Sequence, residues 1–241
     1  MLGGGWLPAT DALKSALATE ANTGTDVAPI NTICLFNGTT QIKCVSLASA
    51  DFTVDTANNK LKVVKEITND TGSNQTFDRV VLRSGTTAYF ITAVSATSFP
   101  INATVRIEWE LTVSGSLSAS GYFNGGNVEG LVDMIIRILA GQRGAKDSLL
   151  LNRFVYLDTG VTPIAVLLGV VATRAVSGTS VTASHDYANF TASGTLRESW
   201  VLNELAVNDT DSVARIAQIT TTSPASVDTT MAINHSFTVT F

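Results

Sequence analysis

Apolar and polar residues alternate with a period of two through much of the chain. In residues 106–113 the apolar positions are Ile107, Trp109, Leu111 and Val113, and polar residues stand between them. This period is typical of a strand with one buried and one solvated face. Residues 60–67, 79–82 and 88–94 behave similarly. Turn-forming pairs such as Asn37-Gly38 recur roughly every 8–12 residues, a spacing that favours a β-sandwich.

Two stretches have the 3.6-residue period of an amphipathic helix instead. In residues 9–20, Thr10 is placed to cap a helix, and Leu13, Ala16 and Leu17 form its apolar stripe. A second helix is predicted from Val128 to Ala140, with Asn127 as its cap and Gly141 as its stop. Its apolar stripe is Leu131, Met134, Ile135, Ile138 and Leu139.

Three blocks of sequence recur in the same order. Residues 33–45 align with 155–167, residues 77–95 with 202–220 (Ile91 with Ile216, Val94 with Ile219), and residues 103–115 with 229–241. The offset between the copies drifts by only a few residues, as loop insertions would make it drift. We therefore predict a tandem duplication.

The predicted fold is mainly β: two tandem antiparallel β-sandwich domains (jelly-roll or Ig-like), each preceded by a short α-helix. The first domain is predicted at residues 1–115 and the second at 128–241. Residues 116–127 are rich in Gly and Ser and are predicted to be a linker.

The composition is low in charge. Only 15% of residues are charged, against roughly 25% in an average soluble domain, and the net charge is −5. Thr, Ser, Asn and Gly take the place of the charges, which suits surfaces that pack against other copies, because a hydroxyl is far cheaper to bury than a charge. The 15 Lys and Arg are scattered without a run of three, so we expect no direct nucleic-acid binding.

Targeting signals are not visible in the sequence. The longest apolar runs, Leu131–Ala140 and Ile164–Ala172, are shorter than the ~20 residues of a membrane-spanning helix. The first fourteen residues lack the basic and apolar regions of a secretory signal. These features predict a product that stays in the cell, or that leaves it by lysis or after processing that the sequence does not show.

Residue groups that could support chemistry are sparse. His185-Asp186 is predicted to lie in a solvated turn and His235 in the last strand, and neither has a nucleophile or metal-ligand motif beside it. The Asn/Asp-rich loops at 69–74 and 208–212 could offer oxygens to calcium but favour plain Asx turns. We therefore assign no catalytic, cofactor-binding or metal-ligating residue, and expect no enzyme and no cofactor.

Cys34 and Cys44 lie in one predicted hairpin, and the length of its loop decides whether the two residues lie opposite each other. A two-residue Asn37-Gly38 turn places Cys34 opposite Gln41, whereas a three-residue loop of 38–40 places it opposite Cys44. We favour two free, half-buried thiols over a cross-strand disulfide.

Seven Asn-x-Ser/Thr triplets raise the alternative of a glycosylated, externally displayed protein. They begin at Asn37, Asn69, Asn74, Asn102, Asn189, Asn208 and Asn234. A chain rich in Asn, Ser and Thr gives several such triplets by chance, so we do not assign glycosylation from them.

The order of these segments resembles a β-sandwich module found in virion structural proteins of tailed viruses (phage or archaeal virus), especially tail-fibre, collar and tail proteins. The resemblance is carried by "LFNGTTQI" and "LDTGVTPI", by Leu202–Val207, by Val213–Thr222 with Pro224, and by the closing strand Ile233–Phe241. It implies a structural protein that assembles with copies of itself and with other virion proteins. No functional residue is implied.

We expect a virion structural protein, a tail, fibre, collar or capsid-associated subunit assembled in the host cytoplasm, without membrane or small-molecule partners. One alternative is a subunit of a cell-surface filament or surface layer. Another is a carbohydrate- or receptor-binding module, for which Tyr122, Phe123, Tyr187 and Phe190 could supply a stacking platform.

Overall fold

The structure is a computed structural model and describes residues 9–113, 116–120, 125–158, 163–166, 173–190, 192–203, 205–206 and 211–241. It is mainly β, with antiparallel sheets and two α-helices in these residues. The helices are α1 (Asp11–Thr23) and α2 (Glu129–Leu139). The strands are β1 (Thr32–Asn37), β2 (Thr40–Ser46), β3 (Phe52–Asp55), β4 (Lys60–Thr68), β5 (Gln75–Ser84), β6 (Thr87–Phe99), β7 (Thr104–Thr112), β8 (Ser116–Ser120), β9 (Gly125–Asn127), β10 (Arg153–Leu157), β11 (Pro163–Val166), β12 (Thr173–Ser177), β13 (Ser180–Asn189), β14 (Gly194–Leu202), β15 (Arg215–Val227) and β16 (Ala232–Thr240).

Both predicted helices form, and their ends follow from local chemistry. The hydroxyl oxygen of Thr10 accepts a hydrogen bond from the backbone N–H of Leu13 at 3.4 Å, which confirms Thr10 as the cap of α1. After α2, Gly141 adopts a left-handed φ of 69° and the N–H of Gln142 donates to the carbonyl of Arg137. This is the arrangement expected of a glycine that stops a helix. Neither helix is long and apolar enough to cross a membrane, among the residues that the structure describes.

The order of strands in the sheets repeats along the chain. The early strands form two sheets with the orders β2-β1-β5-β6 and β3-β4-β7. The later strands form β11-β10-β14-β15-β9 and β12-β13-β16-β8. Each later sheet thus has the order of an early sheet with one strand added at one edge, β9 beside β15 and β8 beside β16.

The chain divides into two compact units. Unit 1 comprises residues 1–14, 27–113 and 136–143, and unit 2 comprises residues 15–26, 114–135 and 144–241. The segment 116–127, predicted as a linker, contributes β8 and β9 to sheets of unit 2. Its period-two serines at 116, 118 and 120 suit a strand as well as a linker.

Each unit has its own apolar core. In unit 1, Phe90 packs against Trp109 in a tilted arrangement with ring centroids 4.9 Å apart, and Phe77 packs edge-on against Phe99. In unit 2, Phe154 meets Phe237 edge-on, at 5.8 Å.

The hairpin of β1 and β2 corrects the prediction for the two cysteines. Its turn is the pair Gly38-Thr39 instead of either predicted loop, and a β-bulge follows at Ile42. The bulge shifts the register by one residue and brings Cys34 opposite Cys44, with their Cα atoms 4.1 Å apart. The two sulfurs form a disulfide. The prediction of two free thiols was wrong, because a bulge has no clear signal in the sequence.

The structure also corrects one block of the repeat alignment. The alignment matched Ile91 with Ile216, but Ile91 is 41% exposed whereas Ile216 is fully buried. The connection between β5 and β6 has only two residues, while residues 203–214 connect β14 and β15. An insertion of this size changes the offset between the copies, so an ungapped alignment across it pairs the wrong residues.

Candidate functional site: an uncharged sheet face

One face of strands β12, β13 and β16 consists of small, uncharged residues, and we call it the hydroxyl face. The opposite face of the same strands holds Val181, Ala183, Phe237 and Val239, all nearly inaccessible to solvent. The hydroxyl face has three rows across β12, β13 and β16, and eight of its nine positions are Ser or Thr. The rows are Ser177, Ser180 and Thr240; Ala175, Thr182 and Thr238; and Thr173, Ser184 and Ser236.

Hydroxyl groups bridge neighbouring strands on this face. The side-chain oxygens of Ser180 and Thr240 lie 2.8 Å apart, and those of Thr182 and Thr238 lie 2.7 Å apart. Such cross-strand pairs stabilise a sheet and hold the short side chains close to it. The edge positions Thr173, Ala175 and Ser177 are exposed. These short side chains form a flat surface, and their hydroxyl groups can form hydrogen bonds with a partner protein.

The corresponding face of unit 1, on β3-β4-β7, is built from charges. Lys60 Nζ lies 2.8 Å from Glu110 Oε1, Lys62 Nζ lies 3.2 Å from Glu108 Oε2, and Arg106 also pairs with Glu108. The hydrogen bond from Lys62, together with the charge of Arg106, lowers the pKa of Glu108 below its ordinary value. The hydrogen bond to Glu110 raises the pKa of Lys60. Four of these five side chains are more than 40% exposed, as expected of a solvated face.

The two faces therefore differ in the free-energy cost of desolvating their side chains, and this cost decides whether a surface can be buried in an interface. Desolvating the Lys and Glu side chains of unit 1 would be costly even when they are paired. Hydroxyl groups cost far less to bury, and they can exchange hydrogen bonds with water for hydrogen bonds with a partner. Of the two, the hydroxyl face is the better candidate for an interface.

A second feature is a cleft of about 380 Å³ at one side of unit 1, which we call the edge cleft. It lies between β6 and β7, the last strands of their sheets as described. Its lining comprises Phe77, Val80, Thr92, Val94, Thr97 and residues 106–109. The indole N–H of Trp109 donates to the Thr92 hydroxyl at 3.2 Å, so the polar group of this buried ring is already satisfied.

The two histidines of the chain are register partners. His185 of β13 lies directly opposite His235 of β16 in the register, and the register shifts just beyond them. The predicted turn at His185 is instead part of a strand. Among the described residues, the structure shows no group of three His, Cys, Asp or Glu placed to hold a metal ion.

The loop at 69–74 forms the Asx turn predicted for it. The side-chain oxygen of Asn69 accepts hydrogen bonds from the backbone N–H and the hydroxyl of Thr71. Asn69 is fully buried, so the first of the two Asn-x-Thr triplets in this loop is closed to glycosylation in the folded protein. Asp70 pairs with Lys43 at 2.6 Å. Residues 208–210 of the second predicted loop lie outside the described residues.

The proposed aromatic platform does not form as a set. Phe190 is only 4% exposed and packs edge-on against Tyr156, so it belongs to the core of unit 2. Tyr122 and Phe123 lie outside the described residues. A stacking surface for carbohydrate thus loses one of its four candidate members.

The hydroxyl face was missed in the sequence, although its signal is present. Ser or Thr recurs at every second position in two separate strands, at 180–184 and 236–240, and nearly so at 173–177. Only the register of the sheet shows that these runs lie side by side.

Comparisons with known proteins found no matching family model, no matching curated protein and no matching solved structure.

Proposed function

We propose that the protein is a non-enzymatic structural protein of a virion that self-assembles through homotypic interfaces, as a tail, fibre, collar or capsid-associated subunit. The proposal includes two tandem β-sandwich domains, each preceded by a short helix, and the recurring strand order supports this duplication. The choice of a virion rests on the resemblance of the late strands to modules of tailed viruses.

The observation that carries the proposal is the hydroxyl face of unit 2. A sheet face that stays in water normally carries charged residues, as the β3-β4-β7 face of unit 1 does. Nine positions without one charge are better suited to contact with another protein surface. Because the residues are small, a second sheet could approach closely over the whole face.

The size of the face sets the strength expected of each contact. Three strands about 4.8 Å apart and three rows about 7 Å apart span roughly 10 Å by 14 Å. This is well below the ~800 Å² per partner of a standard stable interface. We therefore expect single contacts to be weak and assembly to depend on many contacts at once, with a sharp dependence on protein concentration.

Charge placed on the hydroxyl face tests the proposal. The double variant Ala175→Lys with Thr240→Lys changes two exposed positions, so the fold of unit 2 should survive. We expect sedimentation velocity to show the wild-type protein in large species and this variant as a monomer at the same concentration. The matched control is Thr53→Lys on the charged face of unit 1, which should assemble like wild type.

Two results would contradict the proposal. One is an assembly of the double variant that equals wild type, and the other is an equal loss of assembly in Thr53→Lys. Circular dichroism of each variant separates lost assembly from lost folding.

One observation favours a second candidate, a subunit of a cell-surface filament or surface layer. The Cys34–Cys44 disulfide is of the kind that persists in oxidising environments outside the cytoplasm. A virion protein would form it after release from the host. Mass spectrometry of purified virions and of the source cell envelope would separate the two candidates.

A further inference from the structure

The strand β12 forms one edge of the hydroxyl face. Among the described residues it is the last strand of its sheet and pairs with β13. A two-residue turn follows Ser177, and the residues that close such a turn, Ser177 and Ser180, form a hydrogen-bonded pair. Because this pattern alternates along an antiparallel ladder, Ser177 and Ala175 direct their N–H and C=O groups to β13. Arg174 and Val176 direct theirs away from the sheet, towards an added strand.

The single charged side chain of β12 is bound within unit 2 instead of guarding this edge. The guanidinium of Arg174 donates to the carbonyl of Asn22 at 2.6 Å and to the carbonyl of Leu151 at 3.1 Å. Edge strands of natural sheets commonly carry charges that oppose pairing with another chain. The corresponding edge strand of unit 1, β3, follows Asp51 and ends at Asp55. The charge on β12, by contrast, is already engaged and does not oppose the approach of a strand.

The same edge leaves an apolar side chain in contact with water. Val176 lies on the same side of the sheet as its register partner Val181, because directly opposed residues share a face. Val181 is fully buried, whereas Val176 is 47% exposed. A strand added beside β12 would remove part of this apolar surface from water, which favours pairing.

The sequence of β12 fits a second copy of itself. An antiparallel pair centred on Ala175 places Ala175 opposite Ala175 and Val176 opposite Arg174 of the other chain. The outward N–H and C=O groups of these last two residues then bond to each other in both directions. The carbon chain of Arg174 covers the Val176 beside it, and no two charged residues lie directly opposite.

We propose that β12 pairs antiparallel with β12 of a second copy, about a two-fold axis at Ala175, and so joins two sheets into one. The proposal rests on the self-assembly proposed above and names its first contact. With three strands from each copy, the joined hydroxyl face spans roughly 24 Å by 14 Å, more than twice the face of one chain. Backbone hydrogen bonds hold this first contact, and the enlarged face then serves the weaker contacts between dimers.

One introduced cysteine tests the two-fold register. In the proposed pairing the two Ala175 residues form a narrow, non-hydrogen-bonded pair with Cα atoms about 4.5 Å apart, a spacing that a disulfide can bridge. The native Cys34 and Cys44 are bonded to each other, so the new thiol has only its counterpart to react with. We expect Ala175→Cys to form a disulfide-linked dimer in most molecules after mild oxidation, detected by non-reducing electrophoresis.

The matched control is Ser177→Cys, which is exposed on the same strand and the same face. Its two positions lie about 14 Å apart in the proposed register, so it should form few linked dimers. Equal cross-linking of the two variants, or little cross-linking of Ala175→Cys, would overturn the proposal.

The outward N–H of Val176 gives a second test. Val176→Pro removes this donor without removing a bond to β13, and edge strands tolerate proline on their outer side. All nine residues of the hydroxyl face stay unchanged. Below the concentration at which larger species form, sedimentation equilibrium should show a dimer Kd at least about tenfold higher than in wild type. Val176→Thr keeps the N–H and a β-branched side chain, and it should dimerise like wild type.

The outcomes separate this proposal from the proposed function. A dimer Kd in Val176→Pro equal to wild type, with circular dichroism showing both folded, would overturn the pairing. Large wild-type species without cross-linking of Ala175→Cys would also overturn the pairing and leave self-assembly standing. A wild-type protein that stops at the dimer while Ala175→Cys cross-links would support the pairing and contradict assembly through the hydroxyl face.

Discussion

The side chain of Asn69 holds a loop of unit 1 in place from within. Its amide nitrogen donates to the carbonyls of Ser73 and Phe99, at 2.9 and 2.6 Å, while its oxygen accepts from Thr71. The residue is fully buried, so water cannot replace these partners without opening the structure. One amide group thereby connects the start of the loop with the end of β6.

Replacing Asn69 by Ala should destabilise unit 1 strongly. The substitution leaves the buried carbonyl of Phe99 without this donor, and we expect the free energy of unfolding to fall by about 2–4 kcal/mol. Asn74→Ala is the control, because Asn74 is exposed and accepts one hydrogen bond, from the N–H of Ile101. Urea unfolding followed by tryptophan fluorescence measures both. Equal losses in the two variants would show that burial of Asn69 is unimportant.

Single residues also mark where sequence reasoning succeeds and fails. Thr10 could be predicted as a cap because its effect depends only on residues close by in the chain. The pairing of Cys34 with Cys44 could not, because it depends on a bulge at Ile42 that the whole sheet determines.

At the scale of secondary-structure elements, the charged face on β4 and β7 makes the stability of unit 1 depend on pH. The pKa of Glu108 is lowered in the folded protein by Lys62 and Arg106. A lowered pKa means that the carboxylate stabilises the fold above its unfolded pKa, and that this contribution disappears as the pH falls through the folded value. The effect is small because the face is exposed to solvent.

Thermal unfolding of Glu108→Gln at decreasing pH tests whether the ion pairs of Glu108 cause this pH dependence. In wild type, the Tm followed by tryptophan fluorescence should fall as the pH drops from about 5 to 3. In Glu108→Gln the fall should be smaller by about 1–3 °C, because one titrating carboxylate is absent. Glu66→Gln is the control for the change of charge, because it removes a carboxylate from the same face for which the described residues show no ion pair. An unchanged fall in Glu108→Gln would contradict the role given to its ion pairs.

The strands and helices were largely predictable because their signals are local. The alternation in residues 106–113 corresponds to β7, whose Trp109 and Leu111 are buried while Glu108 and Glu110 are exposed. The role of residues 116–127 was not predictable, because Gly and Ser indicate a flexible linker and only pairing with β15 and β16 makes them strands.

At the scale of the whole molecule, the repeated strand order coexists with divergent surfaces. One face is charged and the corresponding face is uncharged, although both cover apolar cores of the same kind. Similar cores require similar inward residues, whereas the outward residues are free to change with the surroundings of each unit. We infer that the outward face of unit 1 meets solvent and that the hydroxyl face of unit 2 meets other copies.

Electron microscopy of the purified wild-type protein tests the central claim most directly. Negative staining over a range of protein concentrations should show rings, tubes or sheets above a threshold concentration, because many weak contacts act together. Particles of a single 25.3 kDa chain at every concentration would contradict self-assembly through the hydroxyl face.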